Sequence, residues 1–132
     1  MNYFDSSALL KLLFEEHEST QLERWVSARS TIPPVSSELV KIEVVRAARR
    51  LDPQVVAAAR RLVAQLDLVP MTSDLIESAA DVGSDVLRSS DAIHLASALS
   101  LGSALTAFVA YDLRLAAAAQ HAGLPVAQPG AI

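Results

Sequence analysis

The sequence predicts an α/β fold with a central, mainly parallel sheet of four to five strands flanked by helices. Three observations carry this. Short apolar runs alternate along the chain with longer segments of helical periodicity. The apolar runs are continuous rather than alternating, as suits strands covered on both faces. Polar or Pro/Gly punctuation separates nearly every pair, and no repeat, linker or low-complexity tract interrupts the order.

The elements follow in sequence. Met1–Phe4 reads as a strand and Ser6–Phe14 as a helix, which "EEHESTQLERWVSARS" continues with a polar face and with Leu22, Trp25 and Val26 at helical spacing. Trp25 is expected in the core or at an interface, and Glu15–Glu18 on a solvated helical turn. "TIPPVSS" cannot be a helix interior because of its two prolines, so Ile32 to Val35 reads as the entry to a strand. Ser36 or Ser37 then caps the helix "ELVKIEVVRAARR". Asp52-Pro53 opens the helix "QVVAAARRLVAQL", with proline tolerated in its first turn. "LDLVP" is a short strand. Ser73 is expected to cap "DLIESAADVGSDVL", and Ser89 or Ser90 to cap "DAIHLASALSL", which Gly102 ends. "ALTAFVAY" is the clearest strand. The Ala-rich helix "LRLAAAAQHA" follows, stopped by Gly123, and a last strand lies at Pro125–Ala127.

Composition bounds the function. The 132 residues suit one domain spanning 1–132, with 52% hydrophobic and 20% charged residues. There is no cysteine, which excludes disulfides and thiolate metal sites. The net charge of −4 gives no global attraction for nucleic acid, so any phosphate contact needs a local basic patch or bound cations. No basic leader precedes the first acid, and no signal peptide is expected. Ala92 to Tyr111 lacks Asp, Glu, Lys and Arg, but His94, its serines and Gly102-Ser103 mark it as helix, turn and strand rather than a membrane span. There is neither a P-loop nor a G-x-G-x-x-G, so no nucleotide cofactor is expected.

Four acids stand out. In parallel sheets ligands gather beyond the carboxyl ends of strands, and Asp5 and Asp112 each follow a strand there. Each also precedes a helix, where an N-cap alone would explain it. On the helix after Ser37, stepping about 100° per residue puts Glu43 on one stripe with Leu39, Val40, Val44 and Ala47. A carboxylate on a core-facing stripe needs a partner or a cation. Arg46, one turn on, is the simplest partner. Glu38 falls on the solvated side. Asp91 opens an otherwise apolar helix that already has two capping serines. Should these acids converge, like charges would oppose their joint ionisation, and a divalent cation would resolve the conflict. Oxygen-only donors favour Mg²⁺ or Mn²⁺, a combination suited to phosphodiester hydrolysis. A dehalogenase-type nucleophile would want a second acid at position 7, where Ser7 stands, and a receiver domain would want paired acids after the first strand.

The segments "YFDSSALLKL", "SSELVKIEVVRA", "RSSDAIHLASAL" and "VAYDLRLAAAAQHAGLPV" together resemble the PIN-domain ribonucleases, specifically VapC-type toxins of bacterial toxin–antitoxin pairs. The resemblance covers essentially the whole chain. It implies a catalytic quartet of Asp5, Glu43, Asp91 and Asp112, with Asp5, Asp91 and Asp112 holding Mg²⁺ or Mn²⁺. It implies RNA as substrate, a small antitoxin occupying the active-site groove, a homodimer and a bacterial cytoplasmic location. The small hydroxyl residue beside the first Asp would be Ser6. Family members commonly carry Thr or Ser two residues before the last Asp. Ala110 departs from this, so the hydroxyl contact is either missing or supplied by Ser6.

Lys41, Arg46, Arg49, Arg50, Arg60 and Arg61 are six of the eleven basic residues and fall within 21 positions. They read either as a phosphate-tracking patch or as a solvated helix face. Arg46 and Arg114 are the candidate substrate contacts. His94, three residues after Asp91, reads as a buried, hydrogen-bonded histidine.

Overall fold

The computed structural model describes residues 1–131. Five strands form one sheet: β1 (Asn2–Phe4), β2 (Pro34–Ser37), β3 (Asp67–Val69), β4 (Ala107–Val109) and β5 (Val126–Ala127). Their order across the sheet is β3-β2-β1-β4-β5, and every pairing is parallel. The chain therefore builds the sheet outward from β1 in one direction, then returns to start again at β4 on the other side. The strand order reverses between β1 and β4, where a crevice opens at the carboxyl edge. The register pairs Tyr3 with Phe108 and Phe4 with Val109.

The two sheet faces carry different helices. Phe4, Ala107 and Val109 pack with residues of α1 (Ser6–Leu13), α2 (Ser19–Ser27), α3 (Val40–Leu51) and α4 (Val56–Ala64). Tyr3, Val35 and Phe108 point the other way, toward α6 (Ser89–Leu99) and α7 (Leu113–His121), with α5 (Ser73–Asp81) packed on α6. The two-residue period of a strand is what sends neighbours such as Tyr3 and Phe4 to opposite cores. Among the described residues, no helix is long and apolar enough to cross a membrane.

The expected order of strands and helices holds, with local corrections. The first long helix is two. It breaks at Phe14–Glu18, because the buried Ser19 hydroxyl accepts from the Glu16 amide (2.9 Å) and donates to the Lys11 carbonyl (2.7 Å). Lys11 also pairs with Glu18, so the acids of "EEHE" form a turn held by that lysine rather than a turn of helix. The second strand starts at Pro34 and takes in both serines. Ser36 Oγ donates to the Phe4 carbonyl (2.6 Å), and Ser37 Oγ accepts from the Leu39 amide (3.1 Å). Thr72, not Ser73, caps α5. Neither Ser89 nor Ser90 caps α6: both lie inside it, and Arg88 holds the cap position without a side-chain bond. "ALTAFVAY" contributes only Ala107–Val109 to the sheet. Trp25 is half-buried, edge-on to Phe4 and covered by the Arg29 guanidinium at 4.1 Å.

Candidate active site

Asp5 leaves β1 with extended backbone and caps α1. Its Oδ1 accepts from the Ala8 amide (2.9 Å) and the Ser7 hydroxyl (2.6 Å). The cap explanation is therefore correct but incomplete. Both bonds go to one oxygen, and the residue is only 3% exposed. Burial pushes its pKa from 3.8 up to about 6; His94, Ser7 and the Ala8 amide oppose the rise, and the nearby charge of Asp91 adds to it.

Asp112 likewise caps α7, its Oδ1 accepting from the amides of Arg114 and Leu115 (both 3.0 Å). Its Oδ2 accepts from Arg88 Nη2 (3.3 Å), while Arg88 Nε donates to Asp91 Oδ2 (3.1 Å). One guanidinium thus joins two of the four acids across 24 residues of sequence. Arg88 is a site residue that the sequence alone did not single out. Its only local signal is its place three residues before Asp91, one helical turn away.

Glu43 lies in the first turn of α3 with its side chain 24% exposed. Its partner is not Arg46, which is exposed, but His94, whose Nε2 donates to Oε1 at 2.7 Å. Arg46 sits on the solvent side of α3, while the apolar stripe turns Glu43 toward α6. His94 is the buried, hydrogen-bonded histidine expected, 1% exposed, and its Nδ1 lies 2.7 Å from the hydroxyl of the fully buried Tyr3. Burial raises the Tyr3 pKa well above its usual value, so this hydroxyl stays protonated.

The hydroxyl engaged at Asp5 belongs to Ser7 rather than to Ser6, the residue expected to stand in for the hydroxyl that Ala110 does not carry. Ser7 Oγ donates to Asp5 and accepts from the Tyr111 amide (3.0 Å), joining the ends of β1 and β4. Position 7 is where the first turn of α1 folds back over its cap. Ala110 is buried, and its carbonyl accepts from Gln128 Nε2 (2.9 Å). Arg114 is exposed and contributes only its backbone amide to Asp112. Among the described residues, none of the six clustered cations on α3 and α4 forms an ion pair.

Four elements therefore deliver the acids to one strand-end region. Asp91 and His94 act on the ionisation of Asp5, and Arg88 feels Asp91, Asp112 and Glu43 together. Among the described residues, no three His, Cys, Asp or Glu side chains stand ready to close on a metal ion. Asp91 and Asp112 close on Arg88, and Glu43 on His94. The donor set nonetheless fits a hard divalent cation. It offers carboxylate oxygens only, and burial raises the pKa of the Asp5 carboxyl, a cost that a bound cation would offset.

Comparison with known proteins agrees with this architecture. The family model described as PIN domain matches residues 3–121. The chain is 42% identical to Ribonuclease VapC47 of Mycobacterium tuberculosis, over 100% of this chain and 99% of the relative. It is 39% identical to Ribonuclease VapC35 of the same organism, over 98% of each. The crystal structure of Mycobacterium tuberculosis VapC20, described as a Sarcin-Ricin loop cleaving toxin, superposes with a TM-score of 0.76 at 20% identity, covering 98% of this chain and all of the other. A parallel five-stranded sheet, acids gathered at its carboxyl edge and full-length identity to ribonucleases lead to one assignment: the chain belongs to the PIN-domain family, among the VapC ribonucleases.

Proposed function

We propose that this chain is the toxin of a bacterial toxin–antitoxin pair, a cytoplasmic endoribonuclease that uses Mg²⁺ or Mn²⁺. The observation that supports the reading is the linkage of Asp91 to Asp112 through Arg88, and of Glu43 to His94, near the buried Asp5 at the point where the sheet's strand order reverses. Asp5, Asp91 and Asp112 would hold the cation, each with an oxygen beyond those that cap a helix. When bound, it supplies an activated water and a counter-charge for the phosphodiester oxyanion. Asp5 is held by its Ala8 and Ser7 bonds, so it meets a cation without rearranging. Glu43 keeps a carboxylate beside the reacting phosphate as the site's proton acceptor. Ser6, next to Asp5 in sequence, would supply phosphate contacts with the exposed Arg46 and Arg114, and the unpaired cations of α3 and α4 would extend that track.

The antitoxin would occupy the active-site groove. The toxin would act as a homodimer. Incubating the purified chain with total RNA, with Mg²⁺ or Mn²⁺ and again with EDTA, tests the activity. Discrete fragments with 5′-phosphate and 3′-hydroxyl ends, abolished by EDTA, are expected. Binding without cleavage across metal titrations would replace the nuclease by a binding module.

Arg88 pairs with Asp91 and Asp112, two of the carboxylates that would hold the cation, so the two would compete. Arg88→Ala is expected to tighten Mn²⁺ binding several-fold by calorimetry, because a competing positive charge is gone. Unchanged or weaker Mn²⁺ binding would show that Arg88 serves the site in another way.

A further inference from the structure

We propose that Tyr3 and His94 form a buried brace that positions Glu43 for catalysis, so that both are positioning residues of the nuclease. The inference rests on the assignment of Glu43 to the catalytic quartet.

The geometry is continuous. The Tyr3 hydroxyl and His94 Nδ1 are 2.7 Å apart, and His94 Nε2 and Glu43 Oε1 are 2.7 Å apart. Tyr3 is 0% and His94 1% exposed, so neither ring can exchange its partner for water. A carboxylate only accepts, which places the imidazole proton on Nε2. Nδ1 is then an acceptor, and only the phenol of Tyr3 is there to donate to it. The tautomer is thereby fixed from the core outward. One Glu43 oxygen is tied back, and Oε2 makes no hydrogen bond among the described residues.

The brace also joins the elements that carry the acids. Tyr3 is two residues before Asp5, at the same parity on β1. His94 is three residues after Asp91, on the same face of α6. Glu43 comes from α3, on the opposite layer. A histidine kept only to satisfy the core could have bonded a backbone carbonyl. This one uses both ring nitrogens to connect the central strand to a half-exposed carboxylate 51 residues away. Tyr3 is itself locked by stacking on Phe108, with ring centroids 5.4 Å apart and planes 9° from parallel. Residues that fix a reacting group by packing and by hydrogen bonds at one remove keep it near its productive geometry.

The test is a double-mutant cycle on RNA cleavage with Mn²⁺, using His94→Leu, Tyr3→Phe and Glu43→Ala. In the otherwise wild-type chain, His94→Leu is expected to lower kcat by about 10²-fold with KM little changed, and Tyr3→Phe by about 10-fold. In the Glu43→Ala background, either should cost less than about 3-fold, because the group they position is gone. His94→Gln, which keeps a donor toward Glu43, should recover much of the rate. Equal losses in both backgrounds would reduce the brace to a core contact. A second readout is independent of activity and survives if a variant fails to fold. Nitrogen NMR of the wild-type imidazole should show Nε2 protonated and Nδ1 bare, and the opposite tautomer would overturn the proposal. A wild-type chain that cleaves no RNA, yet shows the expected tautomer, would sink the nuclease reading instead.

Discussion

Asp5→Asn should abolish RNA cleavage and, in EDTA at pH 7.5, should make the fold more stable. Asparagine keeps an oxygen for the Ala8 amide and the Ser7 hydroxyl, so the cap of α1 survives. What disappears is a buried charge. Burial lifts the Asp5 pKa from 3.8 to about 6. The sign follows from linkage: the folded chain binds this proton more tightly than the unfolded chain does, so the stabilisation is fully present below about pH 4. It drains away as pH rises to about 6 and is gone at pH 7.5. The full excursion corresponds to roughly 3 kcal/mol. Loss of the charge-assisted bonds offsets part of it, leaving a gain of about 1–2 kcal/mol and a Tm rise on the order of 5 °C at this chain length. Calorimetry at pH 7.5 and pH 4 should show the gap between variant and wild type closing at the lower pH. A variant that melts lower than wild type at pH 7.5 would refute the strained carboxylate. Cleavage should fall by about 10³-fold or more, the loss that the proposed cation-holding role of Asp5 predicts. Stability gained together with activity lost is the signature of a group kept for chemistry at the fold's expense.

Phe108→Ala should be the most damaging core substitution. Phe108 lies at the centre of β4, fully buried, stacked on Tyr3 and packed in one cluster with Leu95 and Leu115. Truncation removes the ring from a site whose walls are strands and helix faces that cannot easily close in. The cost is about 3–5 kcal/mol. Domains of this size hold about 5–15 kcal/mol in total, so urea denaturation should move to a much lower midpoint, and partial unfolding at 37 °C is expected. Phe108→Leu, costing about 1–2 kcal/mol, should leave the chain folded but loosen Tyr3. A Phe108→Ala midpoint within about 0.5 kcal/mol of wild type would mean that the layer between β4 and α6–α7 is far softer than its packing implies.

The architecture was legible because its signals are local. A strand period of two, a helical stripe and an acid after an apolar run can each be read within a dozen residues. That sufficed to single out Asp5, Glu43, Asp91 and Asp112 as candidates, and to read Glu43 rather than Glu38 as the acid turned inward on α3. The partners were not legible. The protein partner that the sequence offered Glu43 was Arg46, one turn away, whereas His94 approaches from another layer. Arg88 bridges Asp91 to Asp112 only because the starts of α6 and α7 lie side by side, which no periodicity records. The choice of Ser7 over Ser6 depended on the phase of a first helical turn, and the break before Ser19 on one buried hydroxyl. Each miss concerns a hydrogen bond whose geometry is set by tertiary packing rather than by propensity.

The pairing of residues 2–4 with residues 107–109 has a consequence for the order of events during synthesis. A ribosome adding about 5–20 residues per second releases the first strand several seconds before its inner neighbour exists. Asp5 then has no Asp112 to face, and Ser7 has no Tyr111 amide to receive. The pocket thus cannot form until the chain has grown past Asp112, and any chemistry that depends on it must wait for that point.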